Sequence, residues 1–410
     1  MVTLPQSHHV LMVVNTYAPD DSRVIFGATS LAKKGYNVHL VGSARNRNQD
    51  TIRTIQSVED VTIQLLPHLT RLTQLSRTIV GLIKGSPPQS ITTSSARTTL
   101  LSIVLFNLWI LRIGLSQKID IIHCHDLSPL FACWLLATIK RKPLIYDIHE
   151  NVPTMYSGRK GSIMAQLERW LVPQVDYVIS AGHRLKDAMV ARGAQAVTHI
   201  GNWKRLSEYD IPPSEIKQLR HQYSISDEAI VVSFFGVLDK NRELTPLLEA
   251  ICQSSDCYLM IAGRGEQRQL VIDYASQCTN IIWLDWLDLM DLPRYTLIAD
   301  VLYYCRAETM PGGSYDLAPA PNKLYEAFAA GIPIIARRGI GEIGEILETS
   351  SAGILLEDVT AETVIQELQN LKNPVQKQHY ATSLQKARQQ YNWSKAENLL
   401  YEIYDTLLVK

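Results

Sequence analysis

One pattern constrains this chain more than any other feature, and it runs twice along the length. Short apolar runs rich in β-branched residues are each followed by a stretch with helical periodicity. In the first half the apolar runs fall at 9–15, 37–44, 61–67, 119–125, 143–149, 177–182 and 196–201. In the second half they fall at 230–236, 258–263, 281–286, 300–305, 333–336 and 353–356. A strand that is apolar at nearly every position is buried on both faces, as in a parallel sheet covered by helices on each side. Strand–helix alternation predicts a doubly wound α/β unit, and its repetition predicts two. The polar, proline-bearing stretch NWKRLSEYDIPP at 202–213 is the natural joint. At 410 residues the chain is long for one core and comfortable for two.

Charge excludes some partners. Lys plus Arg number 40 and Asp plus Glu number 40, so the formal net charge is zero, which argues against a surface that wraps nucleic acid. Hydrophobic residues at 46% rule out a mainly disordered chain. The 6 cysteines show neither a CxxC pair nor zinc-ligand spacing, which predicts reduced thiols serving as small core residues in a cytoplasmic protein. The opening MVTLPQSHHV lacks the cationic and apolar regions of a signal peptide.

Locally the charge is uneven. No Asp or Glu occurs from Val61 to Ile119, a window that carries Arg71, Arg77, Lys84, Arg97, Arg112 and Lys118. It also holds the most apolar run, Leu100 to Leu115, interrupted by Asn107 and Arg112 and shorter than the ~20 residues that span a bilayer. The window reads either as a buried helix with a solvated basic face or as a peripheral contact of 61–119 with an anionic membrane. The second form would also suit a lipid-linked acceptor.

In open parallel sheets ligands bind beyond the carboxyl ends of the strands, so candidate site residues are sought there. After the first run, Asp21 or Ser22 can cap a helix, and Arg23 follows at the cleft or in solvent. In IIHCHDLSPL, His123 and His125 share one strand face and Asp126 closes the strand. No third ligand stands at metal spacing, so no metal is expected. In LIYDIHEN, His149 lies between Asp147 and Glu150, where an imidazole could receive or polarise a hydroxyl proton or simply bond to backbone. In the second half, Gly236 ends a strand and Lys240 and Arg242 follow before a helix, a composition suited to a diphosphate. IAGRGE at 261–266 has Gly-x-Gly without the third glycine of a dinucleotide site and reads as a tight strand-to-helix turn. The segment Glu308 to Arg337 joins a Gly-, Pro- and Ala-rich loop to a helix starting near Asn322, with Glu326 placed to accept two ribose hydroxyls or to complement the helix dipole.

Together, D-S-R-V, the strand ends H-C-H-D and Y-D-I-H-E, and above all P-N-K-L-Y-E-A-F-A-A-G-I-P resemble the retaining, group 1 (family 4) glycosyltransferases of GT-B fold, from about His9 to Tyr404. The resemblance implies two facing Rossmann-like doubly wound domains with a cleft between them. Residues 1–205 would bind acceptor and 206–385 the nucleotide sugar, with a C-terminal helix in 386–410 packing back on the first domain. It implies retaining transfer of a hexose from a nucleotide-diphospho-sugar, UDP-linked ahead of GDP-linked, to an acceptor hydroxyl in glycan, polysaccharide or glycolipid biosynthesis. No metal or other cofactor is implied. His149 and Asp126 would serve catalysis. Lys240, Arg242, Gly313 and Lys323 would hold the diphosphate. Glu326, Asn322 and Asp316 would hold the ribose or sugar, and Arg23 and His125 would face the acceptor. The protein would be cytoplasmic, peripheral on the inner membrane face. Two positions depart from the family pattern: Ala318 stands where an acid is common, and Val237 follows Gly236 where an Arg is common. Lys240 or Lys323 would have to compensate; otherwise the chain is an inactive scaffold or a nucleotide-sugar-binding protein of the same fold.

Overall fold

Two sheets account for the doubled pattern. The computed structural model describes residues 8–44, 53–56, 60–66, 96–155, 158–307 and 317–409. Gly313 and Asp316 lie outside them, as do Arg71, Arg77 and Lys84 of the acid-free window. The chain divides into an N-terminal unit (1–181, 186–199 and 397–410) and a C-terminal unit (182–185 and 200–396).

In the N-terminal unit the strands are β1 (His9–Val13), β2 (Asn37–Ser43), β3 (Arg53–Gln56), β4 (Thr62–Leu66), β5 (Ile121–His125), β6 (Leu144–Ile148), β7 (Tyr177–Ser180) and β8 (Val197–His199), in the order β3-β4-β2-β1-β5-β6-β7-β8. Every residue of β5 and β6 is buried, as central strands of a covered sheet require. One expectation is corrected: the sheet is not wholly parallel. Strand β3, absent from the apolar pattern, pairs antiparallel with β4 at the edge, where a polar strand (RTIQ) needs only one partner. The helices are α1 (Ser22–Lys33), α2 (Ala96–Ser116), α3 (Leu130–Lys140), α4 (Gly158–Leu171) and α5 (His183–Ala191). Asp21 caps α1 by accepting from Val24 N (3.3 Å).

The C-terminal unit has β9 (Ile230–Phe235), β10 (Cys257–Ala262), β11 (Ile281–Trp283), β12 (Val301–Tyr304), β13 (Ile334–Arg337) and β14 (Ile354–Leu356), all parallel, in the order β11-β10-β9-β12-β13-β14. Its helices are α6 (Pro213–Gln222), α7 (Leu244–Cys252), α8 (Arg268–Gln277), α9 (Leu292–Ile298), α10 (Asn322–Ala330), α11 (Gly341–Ser350), α12 (Ala361–Asn370) and α13 (Pro374–Gln390). Alternation along the strands supplies both faces: Val232, Phe234 and Leu259 enter one core while Val231, Phe235 and Met260 enter the other. Gly263 and Gly265 adopt left-handed φ of 153° and 154°, and a Cβ on either would collide with the backbone at Gly236 or Leu238. Only glycine lets these two loops meet.

A last helix, α14 (Trp393–Leu408), begins in the C-terminal unit, and from Glu397 onward it belongs to the N-terminal unit. There Tyr401 donates to Ser30 O (2.8 Å), Lys34 pairs with Asp405 (2.7 Å) and Tyr404 is fully buried. The cysteine expectation also needs correction. Cys252 ends α7 and Cys278 follows α8, their Cα atoms are 5.5 Å apart, and a disulfide joins them. A sequence separation of 26 gives no hint of that proximity, which the packing of the two helix ends creates. Cys124, Cys133, Cys257 and Cys305 are free and buried.

Candidate functional site

In the N-terminal unit the parallel register of β5 and β6 sets His125 beside Asp147. His123 shares the face of His125, and their rings stack with centroids 4.4 Å apart. From the first turn of α1, Arg23 reaches Asp147 with both arms of its fork, Nη2 to Oδ1 at 2.7 Å and Nε to Oδ2 at 3.3 Å. Asp147 Oδ2 is also 3.6 Å from His123 Nε2, 3.5 Å from His125 Nδ1 and 3.7 Å from His149 Nε2. One carboxylate is therefore the hub of three imidazoles and a guanidinium. His149, just past β6, sets its Nε2 3.0 Å from His125 Nδ1 and its Nδ1 3.8 Å from Asp126 and 3.9 Å from Asp21. Its main-chain N–H donates to Asp126 Oδ1 (3.1 Å). Asp126 takes a left-handed φ of 62°, which a short acidic side chain tolerates. From α14, the Tyr404 hydroxyl lies 2.9 Å from His123 Nδ1.

Electrostatics separates the three imidazoles. Burial works to lower the pKa of His149, but the carboxylates of Asp126 and Asp147 outweigh it and raise the value to about 9. Burial pushes His123 down and His125 well below the ordinary value, so both are neutral. Burial alone would raise Asp147; Arg23 and His149 instead hold it well below the usual carboxylate range. Burial raises Asp126. At neutral pH His149 is thus an imidazolium whose Nε2–H donates to neutral His125. Arg23, His123, His125 and Asp147 are buried, whereas His149 keeps 13% of its side chain exposed.

Asp147 supplies what spacing could not reveal, a third donor beside His123 and His125, with ligating atoms of all three within 4.8 Å of one another. A metal cation would sit there against the Arg23 guanidinium, which already engages both oxygens of the carboxylate. The chemistry of the group is therefore that of a charge-coupled histidine–carboxylate–arginine network.

The C-terminal unit gathers Asn322, Lys323 and Glu326 at the start of α10, with Lys240 and Arg242 in the loop after β9. Glu326 is buried, its Oε2 accepts from Lys323 Nζ (2.6 Å), and its Oε1 is 3.9 Å from Lys204 Nζ. Lys204 also donates to Asn322 Oδ1 (2.9 Å). Lys323 Cε would lie 3.6 Å from a Cβ built on Gly236, so this cation stands over the strand end that precedes Val237. Beyond Gly236, Lys240 is exposed. Arg242 lies 3.5 Å from Asp239 and 4.5 Å from the centre of the Tyr304 ring, and its buried Nη1 makes no hydrogen bond. Gly331 ends α10 with φ 74°. Near α11, buried Glu342 accepts from the main-chain N–H of Arg184 (2.7 Å) and of Ala320 (3.3 Å), tying the approach to α10 in place; burial raises its pKa.

Four participants are not assigned from sequence: Asp147 as hub, Tyr404, Lys204 and Glu342. Asp147 was legible only as an acid near His149. Lys204 hides in the joint sequence, and neither Tyr404 nor Glu342 carries a local signal.

Two doubly wound units with these loops after the strands define a fold class, and comparison identifies the family. Residues 28–203 match Glycosyltransferase Family 4 and residues 215–388 match Glycosyl transferases group 1. This chain belongs to that family of GT-B glycosyltransferases. It is 26% identical over 253 residues to an uncharacterized glycosyltransferase of Methanocaldococcus jannaschii, covering 58% of this chain and 62% of that protein. It is 22% identical over 250 residues to TuaH of Bacillus subtilis, a glycosyltransferase assigned to teichuronic acid biosynthesis, covering 53% and 61%. Each match thus spans less than two thirds of the relative's own length. Among solved structures, HepE of Anabaena in complex with UDP and glucose is similar in fold, with TM-score 0.67 and 16% identity over 98% of this chain and 100% of that one. Among the described residues, no helix is long and apolar enough to cross a membrane.

Proposed function

We propose that the protein transfers a hexose, with retention and without a metal, from a nucleotide-diphospho-sugar to an acceptor hydroxyl. The observation that carries this reading is Lys323 standing over Gly236 while it also holds Glu326. A cation at that strand end can replace the charge missing at Val237, and Arg242, with an unpaired buried Nη1, adds a second at the head of the same loop. Lys240, Arg242 and Lys323, with Gly313, would neutralise the leaving diphosphate as charge develops, the task a metal performs elsewhere. Glu326 and Asn322, with Asp316, would take the ribose and sugar hydroxyls, with Lys204 bonded to Asn322 beside them. UDP is the favoured nucleotide, as in the HepE complex.

His149, an imidazolium at neutral pH, cannot serve as a general base there. Its role is to donate to and orient the reacting sugar, with Asp126 fixing its main chain. The acceptor proton then goes to the leaving diphosphate. Arg23 and His125, expected on the acceptor side, are buried and would act through Asp147 and His149. The acceptor is a lipid-linked or membrane-proximal glycan in polysaccharide or glycolipid synthesis, supported by the kinship with TuaH and by the acid-free window at 61–119. That window would meet an anionic membrane at the inner, cytoplasmic face.

The test is incubation with UDP-hexoses in the presence of a chelator, followed by NMR of the anomeric centre. Chelator-resistant transfer or slow donor hydrolysis with retained configuration is expected. Complete inertness toward all nucleotide sugars would favour the scaffold reading, for which exposed Val237 and half-buried Ala318 are the specific observations.

A further inference from the structure

Helices α2, α3 and α4 pack side by side on the N-terminal unit and expose apolar side chains that the transfer chemistry does not use. On α2 the stripe Val104, Leu108 and Leu115 points outward at helical spacing. On α3 and α4, Phe131, Trp134 and Trp170 form an aromatic cluster, with ring centroids 5.7 Å apart for Phe131–Trp134 and 4.8 Å for Trp134–Trp170. Phe131 and Trp170 are exposed by 43% and 49%, and Ile163, two turns before Trp170 on the same helical face, by 63%. Burial energetics would place such residues in the core; several large apolar side chains left outside on neighbouring helices mark a contact surface.

Charge identifies what that contact is. The three helices contain a single acid, Glu168, which is buried, accepts from Tyr146 (2.8 Å) and pairs with Arg192. The same helices carry Arg112, Arg159, Lys160 and Arg169, besides Lys140, whose Nζ donates to Gln117 O (2.6 Å). We infer that the α2–α3–α4 face docks on an anionic lipid bilayer, with Phe131, Trp134 and Trp170 seated at the headgroup level and the cations meeting lipid phosphates. Indole rings favour this depth because they are amphipathic, and cations beside them add an attraction that salt screens. A second copy of the chain is disfavoured as occupant, because a two-fold contact would set one cation-bearing face against another. The proposal deepens the membrane contact suggested above, moving its apolar anchor onto α3 and α4, and it does not require transfer activity.

The experiment is co-sedimentation with phosphatidylcholine vesicles, with and without phosphatidylglycerol, for wild type, F131S/W170S and an R71Q/R77Q/K84Q control. Both serine sites are exposed, so an unchanged melting temperature and UDP affinity would verify the fold. Wild type should bind the anionic vesicles, less tightly as salt rises, and F131S/W170S should lose about tenfold or more in partitioning. Wild-type-like binding by F131S/W170S overturns the proposal, even where R71Q/R77Q/K84Q loses binding and so sustains the basic-window reading. Absence of wild-type binding to anionic vesicles at low salt also overturns it, as does lipid-free dimerisation abolished by F131S/W170S.

Discussion

The two units treat their charged residues in opposite ways. In the N-terminal unit, Arg23, Asp147, His123 and His125 are buried and mutually committed, and the chain of contacts reaches solvent through His149 and the Asp126 and Asp21 carboxylates beside it. In the C-terminal unit, Glu326 is buried and held by Lys323, but the cations after β9 are less committed: Lys240 is exposed and Arg242 keeps an unpaired Nη1. A committed network fixes the protonation and aim of one group and costs heavily when broken. A loosely committed set of cations can turn toward an incoming anion. The first arrangement suits positioning at a reacting centre, and the second suits binding and releasing a diphosphate.

This contrast yields ordered expectations. The largest effect belongs to Asp147→Asn, which takes the carboxylate away from a buried guanidinium and should lower stability by about 3–5 kcal/mol in denaturant unfolding. A loss under about 1 kcal/mol would mean that the network is not the anchor described. Next is pH. Because the folded value of His149 is raised to about 9 from 6.5, its contribution is complete below pH 6.5 and fades as pH climbs through about 9. The shift corresponds to about 3 kcal/mol. Unfolding curves across that window should show the decline in wild type and a flatter profile in His149→Gln. Asp147 behaves inversely: its depressed value gives stability that persists above the usual carboxylate range and is lost as pH falls through its folded pKa. Third, His149→Ala should reduce kcat by ~100-fold or more with little change in donor affinity; steady-state kinetics with unchanged kcat would remove its role. The smallest effect is assigned to Lys323→Ala, about a tenfold loss in UDP affinity, the size of one charge-assisted contact to phosphate. Binding as tight as wild type would return the compensating role to Lys240.

The same contrast explains what could be read from sequence. The fold was legible because buried parallel strands write their burial into consecutive residues, as in β5 and β9. Strand β3 escaped because an edge strand need not be apolar. His149, Glu326 and Arg242 were legible because each follows a strand or opens a helix, where short-range pattern fixes position. The hub function of Asp147 was not, since it depends on an Arg more than a hundred residues away in α1. Lys204 and Tyr404 reach their partners only through tertiary packing, across separations of 118 and 281 residues. The Cys252–Cys278 bridge was hidden for the same reason.

The central claim is a division of labour: nucleotide binding in the C-terminal unit and positioning by His149 in the N-terminal unit. Its most direct test is calorimetric titration of UDP into wild type, His149→Ala and Glu326→Gln, with GDP, ADP, TDP and CMP as alternatives. Wild type and His149→Ala should bind UDP alike, and Glu326→Gln should bind at least about tenfold more weakly. The account is contradicted if UDP affinity disappears with His149 but survives Glu326→Gln, or if none of the five nucleotides binds wild type.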